Sequence, residues 1–549
     1  MKKLIFTLSF LAIQFQFSIA QTTSKEVLYQ KVDSLINQYF NPDKLGMAVA
    51  IIEEGNVIYS HQIGMANLEY NIPITDSTAF HIASVSKQFT SYLAVSMAMR
   101  GELSMEDDVR EHLPELAHLP YKISLNQLAN HTHGLPNVFE LAHLRGFDIQ
   151  DRLSHDEVID MLLNIKQINF QPGTQYEYNN TGFALLAEVI ERVSDSPFQE
   201  VLKEEIFTPL EMNNSLAVSS SEIIIRNKAY SYKTSNSGFK NHEFNNMTNG
   251  SSGISTTIND LSKWAIYYQY ADKRAEKIFH KMQKPTRLSD GTIIEYGLGL
   301  EFKKHKGLDI VFHGGGDAGY RSYLLHIPKH DFSIAILANS NDFSTLNIAY
   351  GIVDLFMKDH LKPSETPKKV NYITNELKSF EGTYEFYPGK YFNILAEKDT
   401  LFFQSYGTKG KAPLPVIGDG EFLFPYVPFT KFSFYDNGFI FNIADFKYDC
   451  KKVTLNPPSI DEIDLEKYIG LYKNDEFNTT YELVIKDNQL VAVHSLNNDI
   501  ILKPLAKDSF YGSKNYFAQI DFVTSEDDEV IEFLLSGQNL KDIQFSKIK

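Results

Sequence analysis

The pattern Leu377-x-x-Phe380-x-Gly382-x-Tyr384 recurs as Leu465-x-x-Tyr468-x-Gly470-x-Tyr472, 88 residues further on. Each copy continues into an alternating strand pattern, with Phe392 and Ile394 in the first and Tyr481, Leu483 and Ile485 in the second. Each then reaches a proline (Pro415, Pro504) and a phenylalanine (Phe422, Phe510). A duplicated segment repeats one fold, and short strands behind an aromatic-Gly-Tyr opening suit a small antiparallel barrel. The repeat therefore predicts two tandem, lipocalin-like β-barrel domains, residues 370–458 and 459–549. The polar stretch "KPSETPKK" ahead of them, with two prolines, has the composition of a linker, placed at residues 361–369.

Residues 25–360 have a different texture. "GMAVAIIEEGNVIYSHQIG" reads as two strands around a Glu54-Gly55-Asn56 turn. "TGFALLAEVIERV" has the period of an amphipathic helix, and "LDIVFHGG", "SYLLHIP" and "FSIAILAN" read as further strands. Strands at both ends with helices between predict an α+β domain whose sheet is closed by distant parts of the chain.

The net charge of −17, with no long basic run, argues against nucleic-acid binding driven by counterion release. Residues 1–20 have the form of a signal peptide: Lys2 and Lys3, then an apolar run, then Ser18-Ile19-Ala20 as a small-x-small cleavage site. Gln14 and Gln16 interrupt that run, and no other stretch approaches the ~20 apolar residues that a membrane helix needs. The expected mature protein is periplasmic or secreted, without a membrane span. Cys450 is the only cysteine, so no internal disulfide forms, and it is read as structural. The scattered histidines, without His-Glu-x-x-His, call for neither metal nor cofactor.

"FHIASVSKQF" sets Ser84 three residues before Lys87, where an extended stretch becomes a helix with Phe89, Leu93 and Met97 on one stripe. The spacing alone is unspecific, since Ser237/Lys240 and Ser546/Lys549 share it and a serine at a helix start is most often a cap. Other stretches give it context: "LANHTHGLP", Tyr178-x-Asn180 at a helix start, "NGSSGISTTINDLSKW", "PLEM", "YGLG", and His313-Gly314-Gly315 after a strand. In this order the motifs resemble serine hydrolases of the class C β-lactamase and D-Ala-D-Ala carboxypeptidase family, a likeness covering roughly residues 30–355. The β-repeats are similar to those of D-aminopeptidases in that superfamily. The resemblance implies a β-lactamase/transpeptidase-like fold. It also implies Ser84, Lys87 and Tyr178 as catalytic groups, and Asn180, His313, Gly314 and Gly315 as substrate-binding ones.

A serine hydroxyl needs a base to become a nucleophile, and three residues along a helix bring Lys87 to the same face. An ordinary lysine is protonated at neutral pH, so burial must lower it; a Lys–Tyr pair sharing a proton relaxes the requirement for both. Either member can then be the base. The Ser84 peptide N–H, at the start of the helix, is one expected oxyanion donor. The resemblance implies a second donor from the strand after His313, expected near Tyr320 or Arg321. His313 is suited, as a cation or a donor, to a substrate carboxylate or to the Tyr178 hydroxyl. His131 and His133 are expected to stabilise their turn and Trp264 to lie in the core. The third motif holds histidine where efficient β-lactamases of this family usually hold lysine. A peptidase of cell-wall-type D-amino-acid peptides or amides is therefore ranked first, ahead of a β-lactamase or carboxylesterase and of a slow-turnover penicillin-binding sensor. The expected partner is a small peptide, amide, ester or β-lactam substrate. The oligomeric state is left open.

Overall fold

The structure, a computed structural model, describes residues 25–548 apart from 40–44, 149, 246–247, 343, 364–371, 426, 428–429 and 444–445. The expected signal peptide, and most of the expected linker, lie outside the described residues. The chain forms two compact units. One takes residues 1–99, 196–285 and 295–363; the other takes 100–195, 286–294 and 364–549.

The first unit is built on a six-stranded antiparallel sheet. Its strands are β1 (Met47–Glu53), β2 (Asn56–Ile63), β3 (Glu301–His305), β4 (Leu308–Asp317), β5 (Tyr320–Ile327) and β6 (Phe332–Ala338), in the order β3-β4-β5-β6-β1-β2. The expected hairpin is present, turning at Glu54 and Gly55, both with left-handed backbone (φ 50° and 73°). Ile51 pairs with Ile334, so the two ends of the segment close one sheet. Because β1 lies between two strands and beneath helices, Met47–Ile52 are all buried, which is why they read as a continuous apolar run.

Helix Thr345–Phe356 buries Ile348, Ile352 and Val353 in the core that Val49, Ile51 and Ile336 share. Helix Ile258–Gln269 contributes Trp264, fully buried and stacked on Phe89 at 4.3 Å. The helix after Ser84, Lys87–Arg100, departs from the expected single stripe. It is buried on every face from Lys87 to Met97, Gln88, Thr90, Ser91 and Ser96 included.

In the second unit, helix Thr181–Ser194 buries Phe183, Leu186, Val189 and Ile190. The two β-repeats follow. The first is a nine-stranded antiparallel sheet whose end strands, Lys411–Leu414 and Val416–Gly418, are joined by Pro415 alone, so the sheet must curl round until its edges meet. Its core of phenylalanines and tyrosines also holds Cys450, whose thiol burial pushes up to about 12. The second is a closed eight-stranded barrel, sealed where Tyr472 pairs with Lys547.

The repeated motif does the same work in both barrels. Gly382 and Gly470 take positive φ (157° and 141°), which a side chain resists. Tyr384 Oη then donates to Phe380 O at 2.8 Å, and Tyr472 Oη to Tyr468 O at 2.9 Å. Among the described residues no helix is long and apolar enough to cross a membrane, and no His/Cys/Asp/Glu group could hold a metal ion.

Candidate active site

Ser84 sits in a tight turn, Ala83–Ser86, that runs directly into helix Lys87–Arg100. Ala83 holds a left-handed φ of 46°, a strained conformation for a residue with a Cβ. The turn is held by its surroundings: Ile82 N donates to Ile254 O at 3.0 Å, and Ser322 Oγ donates to Ile82 O at 2.7 Å. Gly315 on β4 lies so close that a Cβ there would stand 2.4 Å from Ile82 O. These contacts press the turn against β4 and β5 and leave Ser84 half-buried, while its neighbours Val85, Ser86 and Lys87 are wholly buried. The Ser84 N–H, in the first turn, has no partner to find within the helix.

Lys87 Nζ lies 3.0 Å from Ser84 Oγ and donates to Ser251 O at 2.8 Å. Burial pushes its ammonium down to about 7, against the opposing pull of the Asp317 and Glu301 carboxylates. An amine so placed is close to half neutral at physiological pH, with a lone pair beside the serine hydroxyl. The other Ser-x-x-Lys positions have no such setting: Ser237 and Ser546 are exposed.

His313, on β4, is 1% exposed. Its Nδ1 lies 2.6 Å from Gly314 O, and a carbonyl only accepts, so Nδ1 carries the proton and Nε2 accepts from Tyr296 Oη at 3.2 Å. Burial, and then the Lys87 charge, push the imidazole down to about 3. Of the two chemistries expected for His313, the cation is therefore removed at neutral pH, and a neutral ring remains.

The expectation that Tyr320 or Arg321 supplies the second oxyanion donor is not met. Arg321 is paired on both sides, with Gly316 of β4 and Ala338 of β6, and Tyr320 is buried at the hairpin end. The open backbone is on β4 instead. β3 pairs with Leu308–Phe312 only, so from His313 to Asp317 no other strand takes the outer edge among the described residues. Gly314 and Gly315 lie on that stretch, where a substrate backbone can approach closely.

Tyr178 and Asn180 belong to the second unit. Residues 175–179 form neither helix nor strand, and Asn180 is the N-cap of helix Thr181–Ser194. The histidine-rich turn supports them. His131, at φ 62°, sets its ring 4.3 Å from that of Tyr178, and its carbonyl accepts from Glu177 N at 3.0 Å. Asn179 N donates to His131 Nδ1 at 3.3 Å, and Asn180 N to Asn137 Oδ1 at 3.0 Å. His133 Nδ1 accepts from Leu135 N at 2.9 Å, and burial lowers that imidazole to about 3. Both histidines are thus turn residues.

Two stretches visible in the sequence, and one residue that no motif marks, carry roles the sequence did not reveal. The "NGSSG" turn supplies the Ser251 carbonyl that holds Lys87. "YGLG" supplies Tyr296 for His313, and Gly299, where a Cβ would stand 2.6 Å from Lys87 O. Glu301, whose charge acts on Lys87, opens β3 with no motif to mark it.

A beta-lactamase family model matches residues 32–353. A D-aminopeptidase of Gluconobacter oxydans is 29% identical over 294 residues, 54% of this chain and 55% of that protein. A D-aminopeptidase of Brucella anthropi is 28% identical over 56% of this chain and 59% of its own length. The chain thus spans little more than half of these relatives. The penicillin-binding protein 4* of Bacillus subtilis is 27% identical over 65% of this chain and 83% of its own. Among solved structures, an octameric penicillin-binding protein homologue from Pyrococcus abyssi shares the fold with a TM-score of 0.55, at 22% identity, over 87% of this chain and 99% of its own. With more than half of its length matched by that model, the chain belongs to the beta-lactamase family.

Proposed function

We propose that the protein is an exported serine hydrolase that forms an acyl-enzyme on Ser84 and acts on D-amino-acid amides and peptides of the cell-wall type. The observation that carries this reading is the buried Lys87 amine, 3.0 Å from Ser84 Oγ and lowered to about 7. In the proposed reaction Ser84 Oγ bonds to the substrate carbonyl carbon while its proton passes to Lys87, with Tyr178 sharing the proton traffic. The carbonyl C–N bond then breaks, and the departing amine takes that proton. Water attacks the ester and gives a proton to the same pair; the bond from the acyl carbon to Ser84 Oγ then breaks, Oγ takes that proton, and the acid leaves. The Ser84 N–H and the open edge of β4 stabilise the oxyanion, a function typically worth about 2.7–4 kcal/mol per donor.

The neutral His313 supports the ranking of substrates. A histidine without charge offers no cation to a substrate carboxylate, which favours amides and peptides read from their amino end over β-lactams. The names of the D-aminopeptidase relatives point the same way. Purified mature protein screened against D-aminoacyl amides, D-Ala-D-Ala peptides, short acyl esters and a chromogenic cephalosporin tests the reading. Turnover is expected on the D-aminoacyl amides, with slow cephalosporin hydrolysis. Rapid cephalosporin turnover would reverse the ranking, and a burst of product followed by silence would favour the sensor. Export is checked by intact mass of the secreted chain, expected to begin at residue 21.

A further inference from the structure

The strands Val530–Gly537 and Leu540–Lys547 of the second barrel are joined by Gln538 and Asn539. Gln538 N donates to Asn515 O at 3.0 Å, which fixes the tip on the barrel. Asn539 has a left-handed φ of 56°, where glycine would serve the turn with less strain. Its side chain and carbonyl are used elsewhere. Nδ2 donates to Tyr178 O at 3.0 Å, and the Asn539 carbonyl accepts from Asn137 N at 3.2 Å and Asn169 Nδ2 at 3.1 Å. Both partners lead back to the same stretch, Asn137 Oδ1 accepting from Asn180 N and Asn169 Nδ2 donating to Glu177 Oε1 at 2.9 Å. One hairpin tip is thus tied to Glu177, Tyr178 and Asn180 by one or two hydrogen bonds each.

We infer that Asn539 is a positioning residue for the Tyr178-x-Asn180 motif, and that through it the second barrel sets the place of the Tyr178 phenol in the proposed reaction. The inference rests on that reaction. Residues 175–179 have no regular structure, so their anchors decide where the side chains go, and a misplacement of about 1 Å can cost about a hundredfold in rate. The tie to Tyr178 runs through a backbone carbonyl, so Asn539 acts on the phenol without touching substrate.

Asn539→Gly keeps the left-handed turn and the carbonyl with its two bonds, and removes only the amide. Asn539→Asp keeps the shape but sets an acceptor against Tyr178 O. In both, Ser84 should still be labelled by a fluorophosphonate. On the best substrate of the screen, kcat should fall about tenfold for Asn539→Gly and further for Asn539→Asp, with KM changed less than about twofold. The melting temperature of Asn539→Gly should stay within about 2 °C of the parent. Parental kcat in folded Asn539→Gly would overturn the inference, as would a loss of kcat that only follows a loss of melting temperature. Should Asn539→Asp not fold, Asn539→Gly decides alone. A parent chain that no fluorophosphonate labels would instead defeat the proposed function, a separate outcome read before any variant is made.

Discussion

Lys87 is held near 7 by burial, and that makes its protonation the first thing to measure. In the proposed reaction the neutral amine takes the serine proton, so kcat/KM should rise as pH rises through about 7. An acid limb well below pH 6 would remove Lys87 from that role. Glu301 raises the amine, so Glu301→Gln should move the limb to lower pH. The sign for stability follows from the same shift. Between the folded value of about 7 and the ordinary 10.5, the unfolded chain binds more protons, so stability climbs with pH across that window. Lys87→Met removes a buried cation. It should stabilise the fold by about 1–3 kcal/mol, read by denaturant unfolding, while abolishing turnover. Ser84→Ala should end both turnover and labelling, because no other serine among the described residues is set 3.0 Å from a buried amine. Activity persisting in Ser84→Ala would overturn the mechanism. Tyr178→Phe should slow deacylation and leave acyl-enzyme visible by intact mass; a variant with parental turnover would remove Tyr178 from that step.

At the scale of elements, the nucleophile is placed by two strands and a turn as much as by its own helix. Gly315 shows how little room is left: a Cβ there would stand 2.2 Å from Ser322 Oγ and 2.4 Å from Ile82 O, and the second is backbone that has no rotamer to escape into. Gly315→Ala should therefore destabilise by about 1–3 kcal/mol and slow labelling of Ser84 disproportionately, since the clash falls on the turn that carries it. Gly314 is the control. Its Cβ would meet only the Tyr323 ring at 3.5 Å, an ordinary contact, and Gly314→Ala should leave the melting temperature nearly unchanged. Equal losses of stability in the two variants would show that the close approach to Ile82 is not what fixes the turn.

At the scale of the whole molecule, the barrels belong to the same compact unit as residues 100–195. Each barrel has its own aromatic core, yet the second is bonded to that helical segment along one side. Tyr481 Oη and Thr479 Oγ1 donate to Leu144 O, and Asn497 Nδ2 to His143 O. Tyr391 Oη donates to Gln519 Oε1, linking the barrels to each other. A chain ending at residue 458 should consequently melt at a lower temperature than the full protein and lose more in turnover than in fluorophosphonate labelling, because Ser84 and Lys87 lie in the other unit. Equal turnover in the shortened chain would make the second barrel an appendage.

Much of this was legible in the residues. The 88-residue repeat announced two β-barrels, because an aromatic-x-Gly-x-Tyr opening needs a positive-φ glycine and a tyrosine that reaches back to the residue four before it. The apolar run of β1 announced a central strand, and the order of Ser84/Lys87, Tyr178/Asn180 and His313/Gly315 announced the family. These are local or ordered features, and local periodicity and motif order survive in a linear string. What governs the state of each group is set by neighbours far away in sequence. Burial beneath the "NGSSG" and "YGLG" turns lowers Lys87, and a carbonyl and a tyrosine fix the tautomer of His313. The register of β3 against β4 leaves Gly314 and Gly315 on an open edge. The tie from Asn539 to Tyr178 joins residues 361 apart, and nothing local in the sequence marked either the turn or its destination. Dielectric, register and long-range hydrogen bonds exist only once the chain has folded, which is why the tertiary structure decided them.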